Sequence, residues 1–189
     1  MIFLFCIFSY LTGCISFGLI LSKWKNIDLR NVGSGNIGAT NIARVMNKKY
    51  AFLVFLLDGF KGLIPICLFN YFTENDCHSS LVAISAVLGH VFPFYLKFKG
   101  GKGVAITFMS YFAFNTMIAI AILLCWVSIF LLFRISSLSA IVAIFIGLIL
   151  SMMSNDFNLI SFSLFTFILI IYKHKENIIK LINKNESKF

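Results

Sequence analysis

Six long apolar stretches dominate this chain, at residues 1–22, 50–72, 79–96, 104–133, 136–153 and 157–172. A helix crosses the hydrocarbon core of a bilayer with roughly 20 apolar residues, within a range of about 17 to 25. With 60% of its 189 residues hydrophobic, 12% charged and 23 Phe, the chain carries more apolar surface than one soluble core can hide. A membrane β-barrel would alternate in polarity over short segments, whereas these runs are continuous. The expectation is an all-α, polytopic integral membrane protein forming a single domain over residues 1–189. The first stretch has no basic segment ahead of it and no small-residue cleavage site, so it reads as a retained span and not as a signal peptide.

Loop charge sets the number of crossings. Lys23, Lys25, Arg30, Arg44, Lys48 and Lys49 fall in the first connection, whereas "TENDCHSS" holds two acids and no Lys or Arg. Lys97, Lys99 and Lys102 fall in the next connection, "SNDFN" has none, and the tail holds Lys173, Lys175, Lys180, Lys184 and Lys188. If 104–133 crossed once, Arg134 and the basic tail would face outward, against the positive-inside rule. Two short passes that bend near "FNTM", Phe114 to Met117, restore it. This predicts seven transmembrane helices with the N-terminus outside and the C-terminus cytoplasmic. Every Lys and Arg except Lys61 then faces the cytoplasm. No tandem repeat of the kind a pseudosymmetric transporter carries is visible.

The unusual polar segments all land on that same face: "GSGNIGATNIAR" (33–44), "GHVFPFYLKFKGGKGVA" (89–105), "RISS" (134–137) and "HKENIIKLINKNE" (174–186). Gly33, Gly35 and Gly38 satisfy the dinucleotide fingerprint formally, but a membrane helix precedes them where that motif needs a strand. Glycines still let backbone N–H groups approach an anion, so a phosphate cradle is expected here. A helix beginning near Asn36 would align Asn36, Thr40 and Arg44 on one face, with Ser34 at its entrance and Asn41 beside it. A guanidinium suits phosphate because its planar fork binds two oxygens. Gly100, Gly101 and Gly103 around Lys102 form a second glycine loop. It is no P-loop, since Leu96 and Gly103 occupy positions that would need Gly and Ser or Thr. Together the two loops describe a site for one or two phosphates at headgroup depth. His174 and Asn177, three residues apart, can face one ligand, and an imidazole can move protons near neutrality.

Other polar residues carry plainer readings. Lysines beside the membrane mark topology or meet anionic lipid, and no nucleic-acid partner is expected. His90 reads equally as a structural histidine or a substrate contact. Asp58 and Lys61, three apart inside a span, are expected to pair with each other. Cys6, Cys14, Cys67, Cys77 and Cys125 show neither CxxC nor Cys/His spacing, so neither a metal site nor a disulfide framework is expected.

The three longer motifs, in this order and spacing and together with "DGFKG" and "RISS", resemble the bacterial acyl-phosphate:glycerol-3-phosphate acyltransferases, the PlsY family, essentially from end to end. The resemblance implies a seven-helix inner-membrane enzyme of phospholipid synthesis with its active site facing the cytoplasm. It would move a fatty acyl group from acyl phosphate to the sn-1 hydroxyl of glycerol 3-phosphate. The products would be lysophosphatidate and phosphate, no cofactor or metal would take part, and the chain would be linked functionally to the enzyme that makes acyl phosphate. By the same resemblance Ser34, Arg44, Lys102, His174 and Asn177 are the active positions. Gly33, Gly35, Asn36, Thr40, Asn41, Gly100, Gly101, Gly103 and Ser136 would line the substrate. The chain departs from the family at Lys180 and Lys184, where Arg and Gly are usual, and Glu186 matches an acid tied to integrity.

The His-x4-Asp general-base motif of other glycerolipid acyltransferases is absent, since Ala83, Tyr95 and Ile179 stand five residues after His78, His90 and His174. Direct attack on a reactive mixed anhydride, with a substrate phosphate taking the proton, is therefore expected, with His174 as the rival base. Two other classes stay open: a carrier for a phosphorylated metabolite, and a lipid phosphotransferase. The one-sided polar clusters oppose the first. The second wants clustered aspartates for metal, and the cytoplasmic segments offer Asp28 and Asp58 alone.

Overall fold

In the computed structural model, which describes residues 1–73 and 78–189, the chain is helical, with no strand among the described residues. Cys77 and most of the acidic second connection lie outside the described residues. Four helical stretches are long and apolar enough to cross a membrane: Ile2–Trp24, Lys48–Thr73 (α4), Ser79–Leu96 and Thr116–Phe133 (α7). A fifth, Phe157–Lys173 (α9), continues after a 62° bend as the short helix Lys175–Ile182 (α10). Two shorter apolar helices are Val104–Phe114 (α6) and Ser136–Met152 (α8).

The first span is not continuous as the apolar run suggests. It divides into α1 (Ile2–Cys14) and α2 (Phe17–Trp24), because Ile15 is extended and the Ser16 hydroxyl caps α2 by accepting from Leu19 N–H at 3.4 Å. A break inside a membrane frees carbonyls that lipid cannot satisfy. Here other side chains meet them: the Lys61 ammonium donates to the Gly13 and Ile15 carbonyls, and Tyr95 O–H donates to the Cys14 carbonyl at 2.7 Å.

Glycines set the tightest helix contacts. A Cβ on Gly13 would stand 2.2 Å from the Ala86 carbonyl oxygen, and one on Gly89 2.1 Å from that of Tyr10, so α1 lies backbone to backbone on α5 (Ser79–Val91). The two glycines of "DGFKG" do the same for α4 and α6: a Cβ on Gly62 would meet the Ile106 carbonyl at 2.6 Å, and one on Gly59 would meet Met109 at 2.2 Å. Buried hydroxyls on α8 and α9 return to their own helix, as Ser139, Ser151, Ser163 and Thr166 donate to carbonyls four residues back.

The long fourth apolar stretch does break, at Asn115, which is extended and caps α7 by accepting from Ile118 N–H at 3.1 Å. The helix of the first polar motif differs from expectation. It runs over Ala39–Val45 (α3) with Gly38 at its N-cap, so Asn36 lies on the preceding loop and out of register with Thr40 and Arg44. Ile37 explains the late start: it is buried, and its carbonyl closes on Gly18 of α2, which holds residues 33–38 in loop form.

Candidate active site

The loop before α3 folds around one amide. Asn41, fully buried, accepts from Ser34 N–H at 2.7 Å through Oδ1 and donates through Nδ2 to the Leu29 and Val32 carbonyls, each at 3.1 Å. Gly33 and Gly35 adopt φ of 61° and 70°, a region open to glycine at little cost, and a Cβ on Gly33 would lie 2.2 Å from Asn41 Oδ1. Gly35 N–H donates to the Val32 carbonyl. The expected backbone cradle is therefore corrected at its centre: the N–H groups of Ser34 and Gly35 are committed to protein acceptors, and the side-chain donors that this segment brings to the cavity are those of Ser34, Asn36, Thr40 and Arg44.

The second glycine loop behaves alike. Gly100 N–H donates to the Val91 carbonyl and Gly101 N–H to the His90 carbonyl, both at 3.1 Å. These glycines are thus spent on seating the loop against α5, where a Cβ on Gly100 would meet the His90 carbonyl at 2.1 Å and one on Gly101 the His90 ring at 2.2 Å. Gly103, at φ 85°, then starts α6 and leaves Lys102 directed inward.

Lys102 donates to Asn177 Oδ1, and Asn177 Nδ2 donates to Glu186 Oε1 at 2.6 Å. Ser137 donates to the same carboxylate oxygen at 2.7 Å. That chain fixes which end of the Asn177 amide faces Lys102. Thr40 and Ser136 share a hydroxyl hydrogen bond of 3.1 Å, which joins α3 to the start of α8. Arg44 donates to the Ser187 carbonyl at 3.2 Å and lies 4.6 Å from the centre of the Phe189 ring, so the last residues cross the mouth of the site. His174, 3% exposed, sits at the bend after α9 with Nδ1 2.9 Å from the Ile170 carbonyl. A carbonyl only accepts, so Nδ1 carries the proton and Nε2 is the free acceptor.

A cavity of about 130 Å³ gathers these groups: Ser34, Arg44, Lys102, His174 and Asn177 all border it, as do Asn36, Thr40, Gly103 and Ser136. Gly33 and Gly35 border an outer space of about 670 Å³, which Ser34, Arg44, Lys102 and Asn177 also line. Asn41, Gly100 and Gly101 lie behind the wall and position it. His90, which sequence left ambiguous, borders the cavity, as does Asp58, which pairs with Lys61 at 2.7 Å as expected. Sequence reasoning passed over Ser137, for which its neighbour Ser136 was the available signal, and over the wall residues Phe55 and Trp126, for which there was none.

Burial shapes the charges. It pushes the Lys102 ammonium below its usual range, while Glu186 and Glu176 pull it back up. His174 is pushed down to about 4, first by burial and then by Lys102. Its imidazole is therefore neutral at physiological pH and a weak base.

The cavity shares Ala39, Thr40, Phe55, Val104, Trp126, Ser136 and Ala140 with an apolar groove of about 400 Å³ that runs on between α4, α6, α7 and α8. A cationic, hydroxyl-rich cavity beside an apolar groove, within a helical membrane protein, defines a handler of amphiphiles with anionic heads. The family model for glycerol-3-phosphate acyltransferase matches residues 3–184. Among relatives of that name, the Wolbachia pipientis wMel protein is 45% identical over 184 residues, covering 97% of this chain and 95% of its own. That of Aquifex aeolicus is 42% identical over 185 residues, covering 97% and 96%. A crystal structure of PlsY, an integral membrane glycerol 3-phosphate acyltransferase, in its glycerol 3-phosphate form superposes with a TM-score of 0.95 at 40% identity, over 99% of this chain and 94% of that one. Its lysophosphatidic acid form gives 0.92 at 39%, with the same coverage. This chain belongs to the glycerol-3-phosphate acyltransferase family and is an integral membrane acyltransferase.

Proposed function

We propose that the chain transfers a fatty acyl group from acyl phosphate to the sn-1 hydroxyl of glycerol 3-phosphate, in one domain spanning residues 1–189. The observation that carries this reading is the shared wall between the cationic cavity and the apolar groove, which suits an acyl chain on one side and phosphates on the other. The glycerol hydroxyl oxygen attacks the acyl carbonyl carbon, the bond from that carbon to the phosphate oxygen breaks, and phosphate leaves with the proton. Arg44, Lys102 and the Ser34 hydroxyl hold the phosphates and balance the developing charge, with Asn177 steering Lys102. Asn36, Thr40, Ser136 and Gly103 line the bound substrates. A weakly basic His174, with Nε2 as acceptor, fits a hydrogen bond to substrate better than proton abstraction.

The proposed topology has seven crossings, with the N-terminus outside and the basic face of the site toward the cytoplasm of a bacterial inner membrane; the shorter apolar helices on either side of the break at Asn115 and the loop charges support it. Because acyl phosphate is prone to hydrolysis, its source must be an enzyme acting close by. Purified protein given acyl phosphate and glycerol 3-phosphate is expected to release phosphate only when both are present; formation of lysophosphatidate with acyl-CoA as the sole donor would overturn the donor assignment. His174→Gln is expected to lower kcat by roughly 10-fold or less, whereas a loss of several orders of magnitude with substrate affinity intact would make His174 the base. A reporter at Asn115 is expected outside the cell, and a cytoplasmic reading would remove two crossings.

A further inference from the structure

Lys61 is the one basic residue that the charge pattern left inside a span, and the catalytic reading makes no use of it. Its ammonium, buried between α1, α4 and α5, directs its three N–H bonds to three acceptors, the Gly13 carbonyl at 3.3 Å, the Ile15 carbonyl at 2.5 Å and His90 Nδ1 at 3.1 Å, and forms an ion pair with Asp58 Oδ1 at 2.7 Å. An ammonium can only donate, so Nδ1 of His90 accepts and Nε2 carries the proton. That edge of the ring is the surface on which Gly101 rests, since a Cβ there would fall 2.2 Å from Nε2. The main chain of His90 holds the same loop, its carbonyl accepting from Gly101 N–H.

We propose that Lys61 and His90 are positioning residues for Lys102. The ammonium sits at the carbonyl end of the half-helix α1, where the helix dipole favours a cation, and it fixes the rotation of the His90 ring. The ring in turn sets the height of the 100–103 loop, and with it the point from which the Lys102 ammonium enters the cavity. The helix break in the first span thus has a use: it supplies carbonyls that orient Lys61 inside the helix bundle. Asp58 balances the charge that this device buries. The tightness of the Gly101 contact is what makes the arrangement sensitive, because a ring held at Nδ1 cannot turn away from an added methyl.

The proposal rests on Lys102 serving the acyltransfer, and the test separates the two. Lys61→Met alone leaves Asp58 unpaired in the membrane and is expected to fold poorly, so the working background is the charge-neutral double variant Asp58→Asn/Lys61→Met. It is expected to melt below the parent in detergent, since the Gly13 and Ile15 carbonyls lose a donor, yet to stay folded at the assay temperature, while kcat falls about 100-fold, as a misplacement of about 1 Å at a reacting group does, and KM for glycerol 3-phosphate changes less. Gly101→Ala is then placed in both backgrounds. In the parent it is expected to cost about 10-fold or more, and in the neutral background less than about 2-fold further, because the freed ring can yield. Equal losses in the two backgrounds, or a neutral variant that is both stable and fully active, would overturn the proposal. Affinity for glycerol 3-phosphate, measured by direct binding on the same four proteins, reads the coupling independently of which donor the enzyme uses.

Discussion

Asn41 shows how one side chain can matter to a site it never enters. All three of its hydrogen bonds go to the backbone of the loop that carries Ser34, and it is fully buried. Asn41→Ala removes every one and leaves buried carbonyls unpaired, at a cost of about 2 to 3 kcal/mol. Thermal unfolding in detergent is expected to register that loss, together with an activity decrease that added glycerol 3-phosphate only partly restores. His174 makes a pH prediction of defined sign. Its folded value of about 4 lies below the ordinary 6.5, so between those values the unfolded chain binds a proton that the folded chain refuses. The contribution is therefore present in full above about pH 6.5 and is lost as pH falls toward 4, by up to about 3 kcal/mol. His174→Gln is expected to flatten the fall in melting temperature over that window; an unchanged slope would show that His174 titrates normally.

At the scale of elements, small residues decide which helices can touch. Gly13→Val would drive a side chain into the Ala86 backbone, with a Cβ contact of 2.2 Å that no rotamer change can relieve. Separation of α1 from α5 is expected to lower the melting temperature sharply and to move the Ile15 carbonyl away from Lys61. Asn115→Ala, by contrast, removes only a helix cap and should cost about 1 kcal/mol. These elements also mark the boundary of what was legible in the sequence. The apolar runs and the loop charges located the helices and the break at Asn115, since burial in lipid and positive-inside bias act on local composition. The break at Cys14–Ser16 was not legible, because it depends on Lys61 and Tyr95 arriving from distant parts of the chain. The glycine loops were read as phosphate cradles, whereas the N–H groups of Ser34, Gly35, Gly100 and Gly101 are held by Asn41, Val32, Val91 and His90. Spacing reports that a backbone can approach something; it does not report what.

At the scale of the whole molecule, cationic cavity and apolar groove meet at Thr40, Trp126 and Ser136, and the groove continues to Phe52, Leu123 and Val127, whose side chains are exposed on the outer surface of the bundle. Ala143, nearly fully buried, lies along the groove. Ala143→Phe is expected to narrow it, lowering kcat/KM for long acyl donors by roughly 10-fold more than for short ones, and equal losses for both would place the chain elsewhere. On the proposed function, a groove with such a rim takes its acyl donor from the bilayer and not from water. The concentration that governs its capture is then a mole fraction in a two-dimensional fluid. Doubling the detergent or lipid at fixed total donor should halve the effective substrate level and slow turnover below saturation, while leaving the dependence on glycerol 3-phosphate, which arrives from water, untouched.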